Sequence, residues 1–140
     1  MKVLIDTNVI LDVLCKRREF LDDSAKVFKL CEINEICGYI SALSIPNIVY
    51  IMRKELDAER IRDVIEKLTF IFTVVDLRAD DLKKAAKLGF KDYEDALQSV
   101  CASRIKANYI ITRNIKDFEN SKVKALNPSE LIQRISFPFK

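Results

Sequence analysis

Short apolar, β-branched runs alternate with stretches of helical periodicity along the chain, and no other feature limits the possible folds so sharply. Val3-Leu4-Ile5 reads as a strand ending at Asp6, after which Val9, Ile10, Val13 and Leu14 recur at helical spacing. Asp22 or Asp23 is placed to cap a second helix carrying Ala25, Val27, Phe28, Leu30 and Cys31. Ile36 to Ile40 reads as a strand, followed by a helix capped by Ser44 that runs through Ile48, Ile51 and Met52. The helical period returns from Ala58 to Leu68, and Phe70 to Val75 is apolar on both faces, as buried parallel strands are. A helix over Asp80 to Leu88 stops at Gly89. Asp92 opens an amphipathic stretch through Ala96, Leu97, Val100, Cys101 and Ile105 that ends near Asn108. Tyr109 to Thr112 is a strand, Lys122 to Ala125 a shorter one, and Pro128-Ser129-Glu130 starts a last helix. Strands alternating with helices predict an α/β sandwich around a parallel sheet. With no linker, repeat or low-complexity segment, residues 1–140 are expected to form one domain with a full core.

Composition then narrows the chemistry. Histidine is absent, which excludes Ser-His-Asp and Cys-His catalysis and His-ligated zinc. Glycine occurs only twice, and the sequence holds neither a GxxxxGK loop nor a GxGxxG fingerprint. The chemistry must therefore rest on carboxylates. Cys15, Cys31, Cys37 and Cys101 lie singly among apolar neighbours, with no CxxC pair, and read as buried, reduced thiols of a cytoplasmic protein. No apolar run approaches the roughly 18 residues of a membrane span, and the opening MKVLIDTNV puts an acid where a signal peptide needs an apolar stretch. The net charge of +3 is unevenly spread: residues 104–140 hold eight basic and three acidic side chains, so the remainder is slightly acidic. Such a tail suits an anionic partner such as nucleic acid, and equally suits a solvated basic face.

The acids fall where parallel sheets place ligands, outside the carboxyl ends of strands at a point where connections diverge. Asp6 directly follows the first strand, and Asn114 and Asp117 follow Tyr109 to Thr112. Asp92 and Asp95 share one face of the first turn of the helix leading into that strand. Each has a local alternative: Asp6 and Asp92 as helix caps, Asp95 as a charge favoured at a helix N-terminus, Asp117 as a turn residue. Those roles do not account for the acids gathering at one sheet edge. Carboxylates that gather repel one another unless a cation offsets them. Mg²⁺ or Mn²⁺, bound through one or two carboxylates and several waters, needs a loose set of oxygens and no His. Such an ion serves phosphodiester hydrolysis.

In its ordered motifs the chain resembles the PIN-domain family of metal-dependent ribonucleases, which includes VapC-type toxins. The motifs are VLIDTNVILD at 3–12, SALSIPNIVYIMRK at 41–54, DYEDALQSVCA at 92–102 and YIITRNIKDF at 109–118, with NPSEL at 127–131 closing the match. The resemblance implies a PIN-like three-layer α/β/α sandwich with a central, mainly parallel sheet and strand order 3-2-1-4-5. It implies catalytic and metal-holding roles for Asp6, Asp95 and Asp117, with Asn114 as a neutral ligand where many relatives have Asp. Asn8, Asn47, Asp92 and Thr112 become supporting residues. Asn47 departs from the pattern, since most active relatives carry Glu there and Asn brings no charge. The expected activity is hydrolysis of single-stranded or structured RNA with Mg²⁺ or Mn²⁺, by the toxin of a type II toxin–antitoxin pair. The expected partners are RNA, an antitoxin protein and a second copy of the chain through the apolar helices Ile45 to Met52 and Ile61 to Leu68. Lys16, Arg17, Arg18, Arg113 and Lys116 are placed to contact the RNA backbone. The rival expectations are a catalytically weak PIN-like module that binds RNA or protein, and a nuclease acting on single-strand or flap DNA.

Overall fold

The structure, a computed structural model, describes residues 1–136. Strand β1 (Lys2–Ile5) leads into helix α1 (Thr7–Leu14) and helix α2 (Arg18–Glu32). Then come β2 (Cys37–Ser41), α3 (Ser44–Met52), α4 (Ala58–Ile71) and β3 (Thr73–Val75). Helices α5 (Ala79–Ala86) and α6 (Tyr93–Arg104) follow, then β4 (Tyr109–Ile111), a 3₁₀ turn (Ile115–Phe118), β5 (Ala125–Leu126) and α7 (Pro128–Ser136). The sheet order is β3-β2-β1-β4-β5 and every pairing is parallel, as expected.

Alternation along β1 divides the molecule into layers. Val3 and Ile5 pack with Val9, Ile10, Val27, Phe28, Ile48, Leu68 and Leu131, drawn from α1, α2, α3, α4 and α7. Leu4 faces the other way and packs with Ile110, Cys101, Ala102 and Phe118 under α6. After β3 the chain crosses by way of α5 and α6 to the far side of β1, so β1 and β4 become neighbours whose onward connections diverge. That divergence opens a crevice at their carboxyl ends.

Several boundaries differ from the sequence expectation, each for a local reason. Helix α2 begins at Arg18 because Lys16 adopts φ +50° and turns the chain at once; Asp22 and Asp23 lie exposed within the helix and cap nothing. Phe70 and Ile71 extend α4, with Phe70 fully on the solvent side, while Phe72 turns inward and leaves only Thr73–Val75 as an edge strand. Helix α6 ends at Arg104, where Lys106 takes φ +57°, short of Asn108. Strand β5 starts at Ala125, since Ser121 accepts a hydrogen bond from the Val123 amide and holds the preceding residues in a turn. Ser44 does not cap α3 but begins it, and its hydroxyl is used elsewhere. Cys31 and Cys101 are buried, whereas Cys15 is half-buried and Cys37 is exposed at the start of β2.

Gly38 in β2 marks the tightest approach of helix to sheet. A Cβ there would stand 2.5 Å from Cys31 Sγ and 2.9 Å from Phe72 Cδ1, so α2 and the end of α4 close over the strand only because the residue has no side chain.

Candidate metal centre

Asp6 reaches the crevice because β1 ends one residue before it, and its backbone amide continues the ladder to the Ile111 carbonyl at 2.9 Å. Its carboxylate is buried and accepts a 2.9 Å hydrogen bond from the Thr112 hydroxyl. Thr112 is fully buried and accepts in turn from the Asn114 amide at 3.1 Å, so the residue after β4 orients the acid after β1. Burial raises the Asp6 pKa; the Thr112 and Thr7 hydrogen bonds and the charge of Arg113 act against it, and Asp92 adds to it.

Asp92 is the N-cap of α6 and accepts hydrogen bonds from the amides of Glu94 (2.8 Å) and Asp95 (3.3 Å). The cap fixes the first helical turn over the crevice. Asp95 projects from that turn, and its pKa is pushed up to about 7, first by burial and then by the charges of Asp6, Asp92, Asp117 and Glu94. Asp117 sits in the 3₁₀ turn after β4, exposed. Together with Asn8, Asn47 and Asn114 these acids line one cleft of about 450 Å³. The cleft thus joins the residue after β1 with residues of α1, α3, α6 and the segment after β4.

Other lining residues were not singled out in the sequence. Glu94 lies at the mouth and accepts a 3.4 Å hydrogen bond from the Asn47 side-chain amide. Gln98, one turn after Asp95, is buried and donates to the hydroxyls of Ser44 (3.3 Å) and Thr7 (3.5 Å), which lie 2.7 Å apart. Tyr50 and Ile51 form an exposed apolar rim. The i,i+4 relation of Glu94 to Gln98 was the available signal.

The basic residues divide into two groups. Arg113 forms a 2.9 Å ion pair with the fully buried Asp12 and lies over the Phe20 ring at 4.1 Å; Arg17 meets the same carboxylate at 3.4 Å. Both are engaged within the fold, because a buried charge in α1 needs partners. Lys16, Arg18 and Lys116 are exposed.

Among the described residues no three Asp, Glu, Cys or His side chains converge as a ready-made metal cage. A hydrated hard cation does not require one. The donor set is all oxygen and rich in carboxylate, and Gln98 Oε1 is a buried acceptor without a hydrogen-bond partner among the described residues. A buried acceptor left so is costly unless a donor or cation meets it, so these residues fit Mg²⁺ or Mn²⁺ with its waters. A second cleft, about 520 Å³ at the other end of α6, has basic walls, but its one acid, Asp81, is locked to Arg104 at 2.9 Å.

The chain resembles "Ribonuclease VapC1" of Aquifex aeolicus (strain VF5), 27% identical over 138 residues, covering 95% of this chain and 94% of that protein. In fold it is similar to a crystal structure of VapBC2 from Rickettsia felis bound to a DNA fragment from their promoter, with TM-score 0.70, 18% identity, and 91% and 98% of the two chains covered. It is similar also to a toxin-antitoxin complex from Klebsiella pneumoniae, with TM-score 0.68, 21% identity, and 90% and 97% covered. Residues 2–116, which run from β1 through the segment bearing Asn114 and hold all but one of the cleft's acids, match the PIN domain family; the chain belongs to that family.

Proposed function

We propose that the chain is a metal-dependent endoribonuclease that hydrolyses phosphodiester bonds of single-stranded or structured RNA, the toxin of a type II toxin–antitoxin pair. One observation carries this reading: acids from the ends of β1 and β4 and from the first turn of α6 share a cleft that also holds a buried, unpartnered acceptor. The likeness to a protein named as a ribonuclease and to toxin–antitoxin complexes supports it.

In that reading Asp6, Asp95 and Asp117 hold Mg²⁺ or Mn²⁺, with Asn114 as a neutral donor. An ion bound there would offset charge developing on the phosphodiester and ease deprotonation of the attacking water. Thr112 keeps Asp6 pointed into the cleft, and the Asp92 cap does the same for Asp95. Lys16, Arg18 and Lys116 are exposed, and their charge attracts the RNA backbone. The exposed Tyr50 and Ile51 of α3 are offered to a second copy of the chain or to an antitoxin. Among the described residues no helix is long and apolar enough to cross a membrane, in keeping with action in the cytoplasm.

The second reading, a catalytically weak module that binds RNA or protein, draws on the uncharged Asn47 in the cleft. Cleavage of RNA with Mn²⁺ separates the two. Wild type is expected to cut, with loss of cutting in chelator and in Asp6→Asn, while Asp6→Asn melts at the same or a slightly higher temperature because one repelling charge has gone. Equal cleavage by both proteins, or none by either, would overturn the nuclease reading.

A further inference from the structure

Glu94 and Asn47 lie 47 residues apart in sequence, on different helices, and meet across the mouth of the cleft. Nothing in the packing of α3 or α6 demands the contact: Glu94 is exposed, and the Asp92 carboxylate already accepts from the first-turn amides of Glu94 and Asp95. An exposed Glu ordinarily gains little from one neutral hydrogen bond while losing side-chain freedom. Here the bond has a directional effect, because an amide N–H can hold a carboxylate toward a cleft without neutralising it. On the same face of α6, one turn on, stands the unpartnered Gln98 Oε1. Glu94, Asp95 and Gln98 thus share one cleft with Asp6 and Asp117.

We propose that Glu94 is a further carboxylate of the metal centre, held in place by Asn47. The inference rests on the nuclease reading above and extends it. The carboxylate that α3 lacks, with neutral Asn47 in the cleft, is supplied by α6. Asn47 acts only through Glu94 and is a positioning residue.

The test is calorimetric titration of the full chain with Mn²⁺, together with melting of the metal-free protein. Glu94→Gln should weaken Mn²⁺ binding about tenfold or more and raise the melting temperature of the metal-free protein, since carboxylates around the centre repel when no cation is present. Asn47→Ala should weaken binding less, and should add nothing in a Glu94→Gln background. Glu66→Gln, which removes an exposed acid beside a different cleft, controls for the lost charge and should bind as wild type does. Wild-type affinity in Glu94→Gln, with binding abolished in Asp6→Asn, would overturn the role of Glu94 and leave the nuclease reading standing. No Mn²⁺ binding by the wild-type protein would overturn both. Additive losses from Glu94→Gln and Asn47→Ala would overturn the positioning role of Asn47.

Discussion

Burial and four neighbouring carboxylates act in the same direction on Asp95. Its pKa of about 7 in the folded protein stands above the unfolded value, so between roughly pH 4 and 7 the native state holds a proton that the unfolded state has lost. The contribution of this group to stability is therefore present at low pH and is lost as pH rises toward 7. Asp95→Asn should melt a few degrees above wild type at pH 8 and with little difference at pH 4, measured without metal in the same salt. A wild-type advantage at pH 8 would contradict the sign. Arg113 presents the opposite case, a residue whose place in the fold outweighs its place in the sequence. With the guanidinium removed, the fully buried Asp12 keeps only the 3.4 Å contact with Arg17. Arg113→Ala should cost about 3 kcal/mol, as when one partner of a buried ion pair is lost. Chemical denaturation would show it, and an unchanged stability with weakened RNA binding would return Arg113 to the RNA surface.

At the scale of elements, the site depends on how helices are started and seated. Asp92 was legible as the start of α6 from its position before an apolar period, and the structure shows its carboxylate on two amides of the first turn. Asp92→Ala should cost about 1 kcal/mol of stability and lower cleavage by disordering the turn that bears Glu94 and Asp95. Asp92→Asn, which keeps the acceptor, should retain most activity; a loss as large as that in Asp95→Asn would make Asp92 a ligand. Seating is set at Gly38. Gly38→Ala should cost about 1–3 kcal/mol through overpacking against Cys31 and Phe72, and Cys31→Ala should partly restore the melting temperature. Element ends were the least legible part of the chain. Phe70 and Ile71 have the composition of a strand, yet they finish α4, with Leu68 and Phe72 buried, Ile71 partly buried against the same core and Phe70 left in solvent. That outcome depends on which surface lies beneath, and no local pattern states it.

For the molecule as a whole, the order of strands decides which acids meet. The position of Asp6, Asn114 and Asp117 after strands, and of Asp95 on the helix between, was readable because strand ends in a parallel sheet share an edge. Glu94 was not readable in this way. Its contact with Asn47 depends on α3 and α6 lying close at the crevice, a relation between opposite layers of the sandwich that no spacing along the chain encodes. Asp12 was illegible for the same reason, since its burial between Arg17 and Arg113 exists only once α1 packs beside the segment after β4. Adjacency of β1 and β4 also has a consequence in time. Asp6 is among the first residues made, but the Ile111 carbonyl that anchors it, the Thr112 hydroxyl that aims it, and Asp117 are all made late. During translation the proposed nuclease would thus hold its first acid idle until β4 emerges and inserts beside β1, so that the order of synthesis itself delays the onset of cutting.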